Sequence, residues 1–212
     1  MLRTLEEKIA PGRAALIVVD VQNDFCADDG AFARLGRDVG ALHPVVDRIE
    51  VLVAAARAAG VLIVFLQYCQ NDRTESDVHL EQRSRGRAGV RYCEEGTDGA
   101  DFYRVSPQPG EPVVKKHRYS GFVDTELDLV LRSSDIASLI MTGIATSGCV
   151  EATARDGFMR DYYVVLVEDC CGSYSSVLHE GTLQNISEAY GIVAQSDAIM
   201  SEWERAGRGV GR

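Results

Sequence analysis

The 212-residue sequence has no apolar run approaching the ~18 residues that a membrane-crossing helix needs. Its opening, MLRTLEEKIA, carries acids and no apolar signal core, so export is not expected. Surplus positive charge is missing too. The formal net charge is −10, which argues against nucleic acid as a partner. The most basic stretch, Arg83 to Arg91, is flanked by acids, and the C-terminal GRGVGR reads as a frayed tail. His43, His79, His117 and His179 include no pair at metal-ligand spacing, so no metal is expected. The six cysteines form no CxxC pattern, and Cys170 and Cys171 are adjacent. Without an export signal they read as reduced thiols in the cytoplasm rather than a disulfide frame. There is no GxxxxGK[ST] loop, no GxGxxG and no GxSxG elbow. A phosphate cradle and a serine-hydrolase turn are thereby excluded, and no cofactor is expected.

What is present is an ordinary globular chain. Hydrophobic residues make up 46% and charged residues 25%, and the length suits one domain able to bury its own core. Short apolar runs alternate with helical patterns. Ala14–Val19, Val61–Leu66, Pro112–Lys115, Ser138–Thr142, Tyr163–Val167 and Gly191–Ala194 read as six strands. Val45–Ala59 reads as a helix capped by Gly60, and Asp124–Arg132 as one with an acidic first turn. Cys149–Arg160, Ser176–Ala189 and Ser196–Arg205 complete the helices. Strands that are apolar throughout, each followed by a helix, predict an α/β fold: a single-domain parallel sheet flanked by helices on both faces. The irregular stretch from residue 69 to 110 reads as an insertion that covers a site or joins subunits; a plain solvated loop is the alternative.

In open parallel sheets ligands sit at the carboxyl ends of the strands. Asp20 ends the first predicted strand after an apolar run, where a carboxyl is either a paired structural group or a general base. Lys115 and Lys116 close the third. Side chains alternate along a strand, so one can face the site and the other solvent. Cys149 follows the fourth strand in TGIATSGCVEAT, a turn of small residues leading into a helix. Free N–H groups and the positive end of the helix dipole favour a thiolate there and can hold an oxyanion. An inert buried thiol is the alternative for any cysteine. Together the three offer a nucleophile, a base and a cation.

At these residues the sequence resembles the isochorismatase-like cysteine hydrolases, in ALIVVDVQNDF (15–25), VVKKHRYSGF (113–122) and TGIATSGCVEATARDGF (142–158). The resemblance implies the same sheet, with Asp20 as general base, Cys149 as nucleophile and Lys116, three residues before Tyr119, as activating cation. It further implies a cis Ile144–Ala145 peptide and an oxyanion hole from the N–H groups of Ala145 and Cys149. Cys149 argues against the vinyl-ether-cleaving branch, which lacks the cysteine. QYCQNDRTE (67–75) lacks the histidine of the nicotinamidase metal cluster. KKHRYSGFVDTELDLVLRS and the segment after the cysteine look most like the ureidoacrylate amidohydrolase branch.

The expectation is a cysteine amidohydrolase that cleaves a small ureido, carbamoyl or amide substrate through a thioester. Phe25, Gln67, Tyr68 and Tyr119 would line its pocket, and arginines of the insertion could receive a substrate carboxylate. The family usually assembles into homo-oligomers. Biuret, N-carbamoylsarcosine and maleamate hydrolysis are the neighbouring alternatives; a non-catalytic binding protein of the same fold is the alternative of another kind.

Overall fold

The computed structural model of the protein describes residues 1–86 and 89–209. Six parallel strands, β1 (Ala14–Val19), β2 (Leu62–Tyr68), β3 (Val113–Lys116), β4 (Ser138–Ile144), β5 (Tyr163–Gly172) and β6 (Gly191–Ala194), form one sheet in the order β3-β2-β1-β4-β5-β6. Helices α1 (Leu5–Ile9), α2 (Asn23–Cys26), α3 (Ala31–Arg34), α4 (His43–Ala59), α5 (Asp77–Gly86), α6 (Leu127–Ser133), α7 (Glu151–Phe158), α8 (Ser176–Ala189) and α9 (Ser196–Gly209) surround it.

The apolar β1 run has a simple cause. Ala14, Leu16 and Val18 pack into one core with Ile49, Leu52 and Val53 of α4 and Trp203 of α9. Ala15, Ile17 and Val19 pack into the other with Leu131 of α6, Ala154 of α7 and Ile186 of α8. A strand buried on both faces has no polar side to alternate with. Successive connections lead from β1 outward to β2 and β3, and then the chain crosses to β4 on the other flank of β1. That reversal opens a crevice at the strand carboxyl ends between β1 and β4. Gly143 permits close packing there: its φ is +118°, and a Cβ would lie 2.1 Å from the Val19 carbonyl oxygen.

Several element boundaries differ from the sequence expectation. α6 begins at Leu127 rather than Asp124, because Asp124 is left-handed (φ 54°) and the Thr125 hydroxyl caps the Leu127 N–H at 3.2 Å. The helix expected from Cys149 begins only at Glu151. A wide turn, Thr146–Val150, precedes it, where Gly148 (φ −121°, ψ −106°) is non-helical and the Gly148 and Val150 N–H groups share the Ala145 carbonyl. β5 runs on to Gly172 through the polar Glu168 and Asp169, and Asp169 is held by Arg48 and Ser196. α9 reaches Gly209, beyond the expected end at Arg205; the tail residues 210–212 lie outside the described residues.

The described residues of the stretch 69–110 are held by hydrogen bonds to the segment after β1. The stretch contains α5 and a short 3-10 turn, and its two ends are tied to the sheet. The buried Gln22 amide donates to the Tyr68 and Ala100 carbonyls at 2.9 and 2.7 Å and accepts from the Tyr68 N–H at 2.9 Å. Asp24 accepts from the Cys93 N–H at 2.6 Å and from the Ala31 N–H at 2.9 Å, so one carboxylate joins the insertion to α3.

Candidate active site

Asp20 directly follows β1 with a left-handed backbone (φ 52°), a conformation that Asp tolerates better than most residues. Lys116 ends β3, two strands away. Its side chain reaches across β2, with Nζ 4.9 Å from the centre of the Tyr68 ring. There it meets Asp20, Nζ to Oδ2 at 2.7 Å, and both side chains are 0% exposed. Nζ also donates to the Arg118 carbonyl at 3.2 Å. Lys115 points the other way, into solvent and onto Glu95 at 2.8 Å, as strand alternation requires.

Cys149 completes the group. Its thiol lies close enough to Asp20 and Lys116 for both to shift its pKa. Burial raises the Asp20 carboxyl above its ordinary value, against the opposing pull of the Lys116 ammonium. Burial alone would lower Lys116, but the charges of Asp20 and Cys149 outweigh it and its pKa is raised. Burial, then the Asp20 charge, pushes the Cys149 thiol up to about 12, with Lys116 opposing. Burial and the Asp20 charge thus oppose ionisation of the thiol, and the Lys116 ammonium favours it. A carboxylate beside the sulfur disfavours a second anion there. The same carboxylate is placed to take the thiol proton as the sulfur reacts.

A high thiol pKa does not itself distinguish Cys149, since burial also pushes Cys26 and Cys170 to about 12. Its surroundings do. Among the six cysteines, Cys149 fronts a cavity of about 270 Å³ and feels both the Asp20 carboxyl and the Lys116 ammonium. The surrounding turn is fastened from three sides. The Thr153 hydroxyl donates to the Cys149 carbonyl at 2.7 Å and accepts the Gly121 N–H at 2.9 Å. Thr146 Oγ1 and His179 Nδ1 of α8 share a hydrogen bond at 2.9 Å. Glu151, at the head of α7, accepts from Thr182 and Asn185 of α8 at 2.7 and 3.0 Å.

The cavity holds Cys149, Ala145 and Ile144 in its floor, and the Ile144–Ala145 peptide is cis. Phe25, Tyr68 and Tyr119 are in its wall. Gln67 is not: its amide donates to the Ala100 carbonyl at 2.9 Å. Neighbouring strand residues face opposite ways, so a wall position for Tyr68 turns Gln67 from the cavity. The insertion arginines are also placed differently from expectation. Arg83 pairs with Glu75, Arg91 with Asp72 (2.8 Å) and Arg104 with Asp47 and Glu50 (both 2.5 Å), and none of them borders the cavity. Arg87 lies outside the described residues.

The remaining wall was not visible from sequence. Tyr92 enters from the insertion, stacked on Tyr68 with centroids 5.6 Å apart; Phe32 of α3 stacks on Tyr174 at 5.1 Å. Arg37 stands at the edge. The one available signal was the density of aromatics in otherwise polar connecting segments. Among the described residues, no group of three or more His, Cys, Asp or Glu side chains is placed to hold a metal ion. No helix among them is long and apolar enough to cross a membrane.

The family model for the isochorismatase domain matches residues 14–198. Ureidoacrylate amidohydrolase RutB from Klebsiella pneumoniae is 38% identical over 206 residues, covering 90% of this chain and 86% of the relative. A cysteine hydrolase from Pseudomonas syringae pv. phaseolicola superposes with a TM-score of 0.83 at 28% identity, covering 97% of this chain and 98% of the other. N-carbamoylsarcosine amidase from Thermoplasma acidophilum superposes with a TM-score of 0.70 at 26% identity, covering 87% and 97%.

Proposed function

The chain belongs to the isochorismatase family, and from that premise we propose that it is a cysteine amidohydrolase cleaving the C–N bond of a small ureido, carbamoyl or amide substrate of the ureidoacrylate type. The carrying observation is the fully buried Asp20–Lys116 pair, 2.7 Å apart, near enough to shift the pKa of a thiol that fronts a cavity. The named activities of the amidohydrolase relatives support the bond class.

The steps follow from the placement. Asp20 takes the Cys149 proton as the sulfur bonds to the substrate carbonyl carbon. The nearby Lys116 charge stabilises the negative sulfur. The carbonyl oxygen, now an anion, is held by the Ala145 and Cys149 N–H groups; such a donor typically lowers the barrier by ~3–4 kcal/mol. Asp20 returns the proton to the leaving nitrogen, the C–N bond breaks, and an acyl or carbamoyl thioester remains. Asp20 then deprotonates a water that attacks the thioester carbon. The sulfur leaves and regains its proton from Asp20.

The reading extends to a cytoplasmic homo-oligomer that uses no metal or other cofactor. All six cysteines are free and buried, as suits a reducing compartment. Val177 and Leu178, 75% and 57% exposed at the start of α8, supply apolar surface for a second copy. The deciding experiment is ammonia release from a panel of ureido acids, biuret and primary amides, with wild type and Cys149→Ala. Release by wild type alone, with a transient acyl mass on the Cys149 peptide, supports the reading. Silence across the whole panel, or full activity of the alanine variant, rejects it.

A further inference from the structure

Aromatic rings, small residues and Leu178 make up most of the cavity border. Among the described residues on that border, Arg37 is the one with a fixed charge. It lies in the turn between α3 and the 3-10 turn Gly40–Leu42, just after Gly36 reverses the chain with φ +73°. Its neighbours are engaged elsewhere. The Asp38 carboxylate accepts the Ala41 N–H at 3.2 Å, and Arg34 pairs with Asp24 at 3.7 Å. The Arg37 backbone is fixed by its own N–H, which donates to the Phe32 carbonyl at 3.0 Å. Among the described residues no acid pairs with its guanidinium, which stays exposed at the cavity edge.

We propose that Arg37 sets the substrate class: it receives a carboxylate at the far end of a small, flat substrate whose carbonyl lies on Cys149. This rests on the amidohydrolase reading for where the carbonyl sits. An anion entering a pocket of rings would be left without a partner, and burying an unpaired charge is strongly unfavourable. Arg37 removes that penalty, because its planar fork can hold both carboxylate oxygens at once. The chain as a whole repels anions, with a net charge of −10, so an anionic substrate needs a local cation at the entrance. The arginines between residues 69 and 110 do not serve, since none of the described ones borders the cavity. The rings of Phe25, Phe32, Tyr68 and Tyr92 favour a planar body between the two ends.

The test is calorimetric binding to Cys149→Ser, which can bind without turnover through the native thiol. The probes are 3-ureidoacrylate, which is planar between its two ends, and its neutral primary amide. With Arg37 in place the acid should bind about tenfold more tightly than the amide. Arg37→Gln should erase that difference by weakening the acid alone, leaving the amide within about twofold. Arg37→Lys should restore part of it, as a charge without the fork. Equal binding of both probes with Arg37 present, equal weakening of both in the glutamine variant, or binding of neither probe overturns the inference. The outcome is separable from the hydrolytic reading. Charge discrimination without ammonia release by wild type would sink the hydrolysis and keep Arg37; ammonia release without discrimination would do the reverse.

Discussion

Lys116 and Asp20 meet at 2.7 Å from strand ends two positions apart in the sheet, and water reaches neither side chain. Each ion is tolerable there because the other is present. Removing one partner from a buried pair commonly costs ~3–5 kcal/mol, because a charge is left uncompensated.

That cost should depend on pH in Lys116→Met. Burial already raises the Asp20 carboxyl, and losing the ammonium removes the main opposing pull. A carboxyl whose folded pKa lies above its unfolded one binds protons more tightly when folded. The penalty is therefore full above the folded pKa and is relieved as pH falls through it. Urea unfolding should show a larger deficit relative to wild type at pH 7.5 than at pH 5.5. A deficit independent of pH would contradict a charged Asp20 in the folded variant.

Asp20→Asn should make the thiol easier to ionise. The Asp20 charge, after burial, is what pushes Cys149 to about 12. The midpoint of alkylation of Cys149 by iodoacetamide should move to lower pH, while substrate turnover is lost with the base. An unchanged or higher midpoint would mean that the carboxylate does not act on the sulfur.

In wild type, kcat/KM should fall on the acid side as Asp20 takes up a proton and can no longer accept one from sulfur. The midpoint should lie above the 3.8 of an ordinary aspartate, because burial raises it. A pH–rate profile that stays flat well below ordinary carboxylate values would remove Asp20 as the base.

Gln22→Ala tests the clasp on the insertion. It removes three buried hydrogen bonds to Tyr68 and Ala100 and leaves their backbone groups without that partner. The expected loss is ~2–3 kcal/mol by thermal or urea unfolding, with faster proteolytic cleavage within residues 69–110. Stability within ~0.5 kcal/mol of wild type would show that the insertion is held elsewhere.

Gly143→Ala should destabilise by about 1–3 kcal/mol or more, from a disfavoured φ together with a Cβ pressed on the Val19 carbonyl. Since Val19 precedes Asp20, kcat should drop as well. A variant as stable and active as wild type would mean that β1 and β4 can part there without consequence.

How much of this was legible in the chain follows from the physics of each part. β1, α8 and β6 were readable to their ends, because uninterrupted apolar runs and helical spacing mark them directly. The pair of lysines announced one inward and one outward side chain through strand alternation, and the resemblance chose Lys116. Cys149 was visible through its small-residue turn, but its protonation state was not. That depends on a carboxylate more than a hundred residues away in sequence. Tyr92, Phe32 and Arg37 were missed because loops and a single-turn helix are too short or irregular to carry a period; the position of Tyr92 depends on the path fixed by Gln22 and Asp24. Gln67 was misplaced because neighbouring strand residues face opposite ways, and Tyr68 is the one on the cavity side.

The clasp at Gln22 and Asp24 separates two inheritances. The sulfur, carboxylate and ammonium are carried by the sheet and the turn after β4, whereas Tyr92 is carried by a segment hooked on from outside. On this reading the segment should be exchangeable while its hooks are kept, with Asp20, Lys116 and Cys149 left in place. Transplanting residues 71–99 from a relative with a different appetite is therefore a route to new selectivity that mutation around the sulfur would not offer.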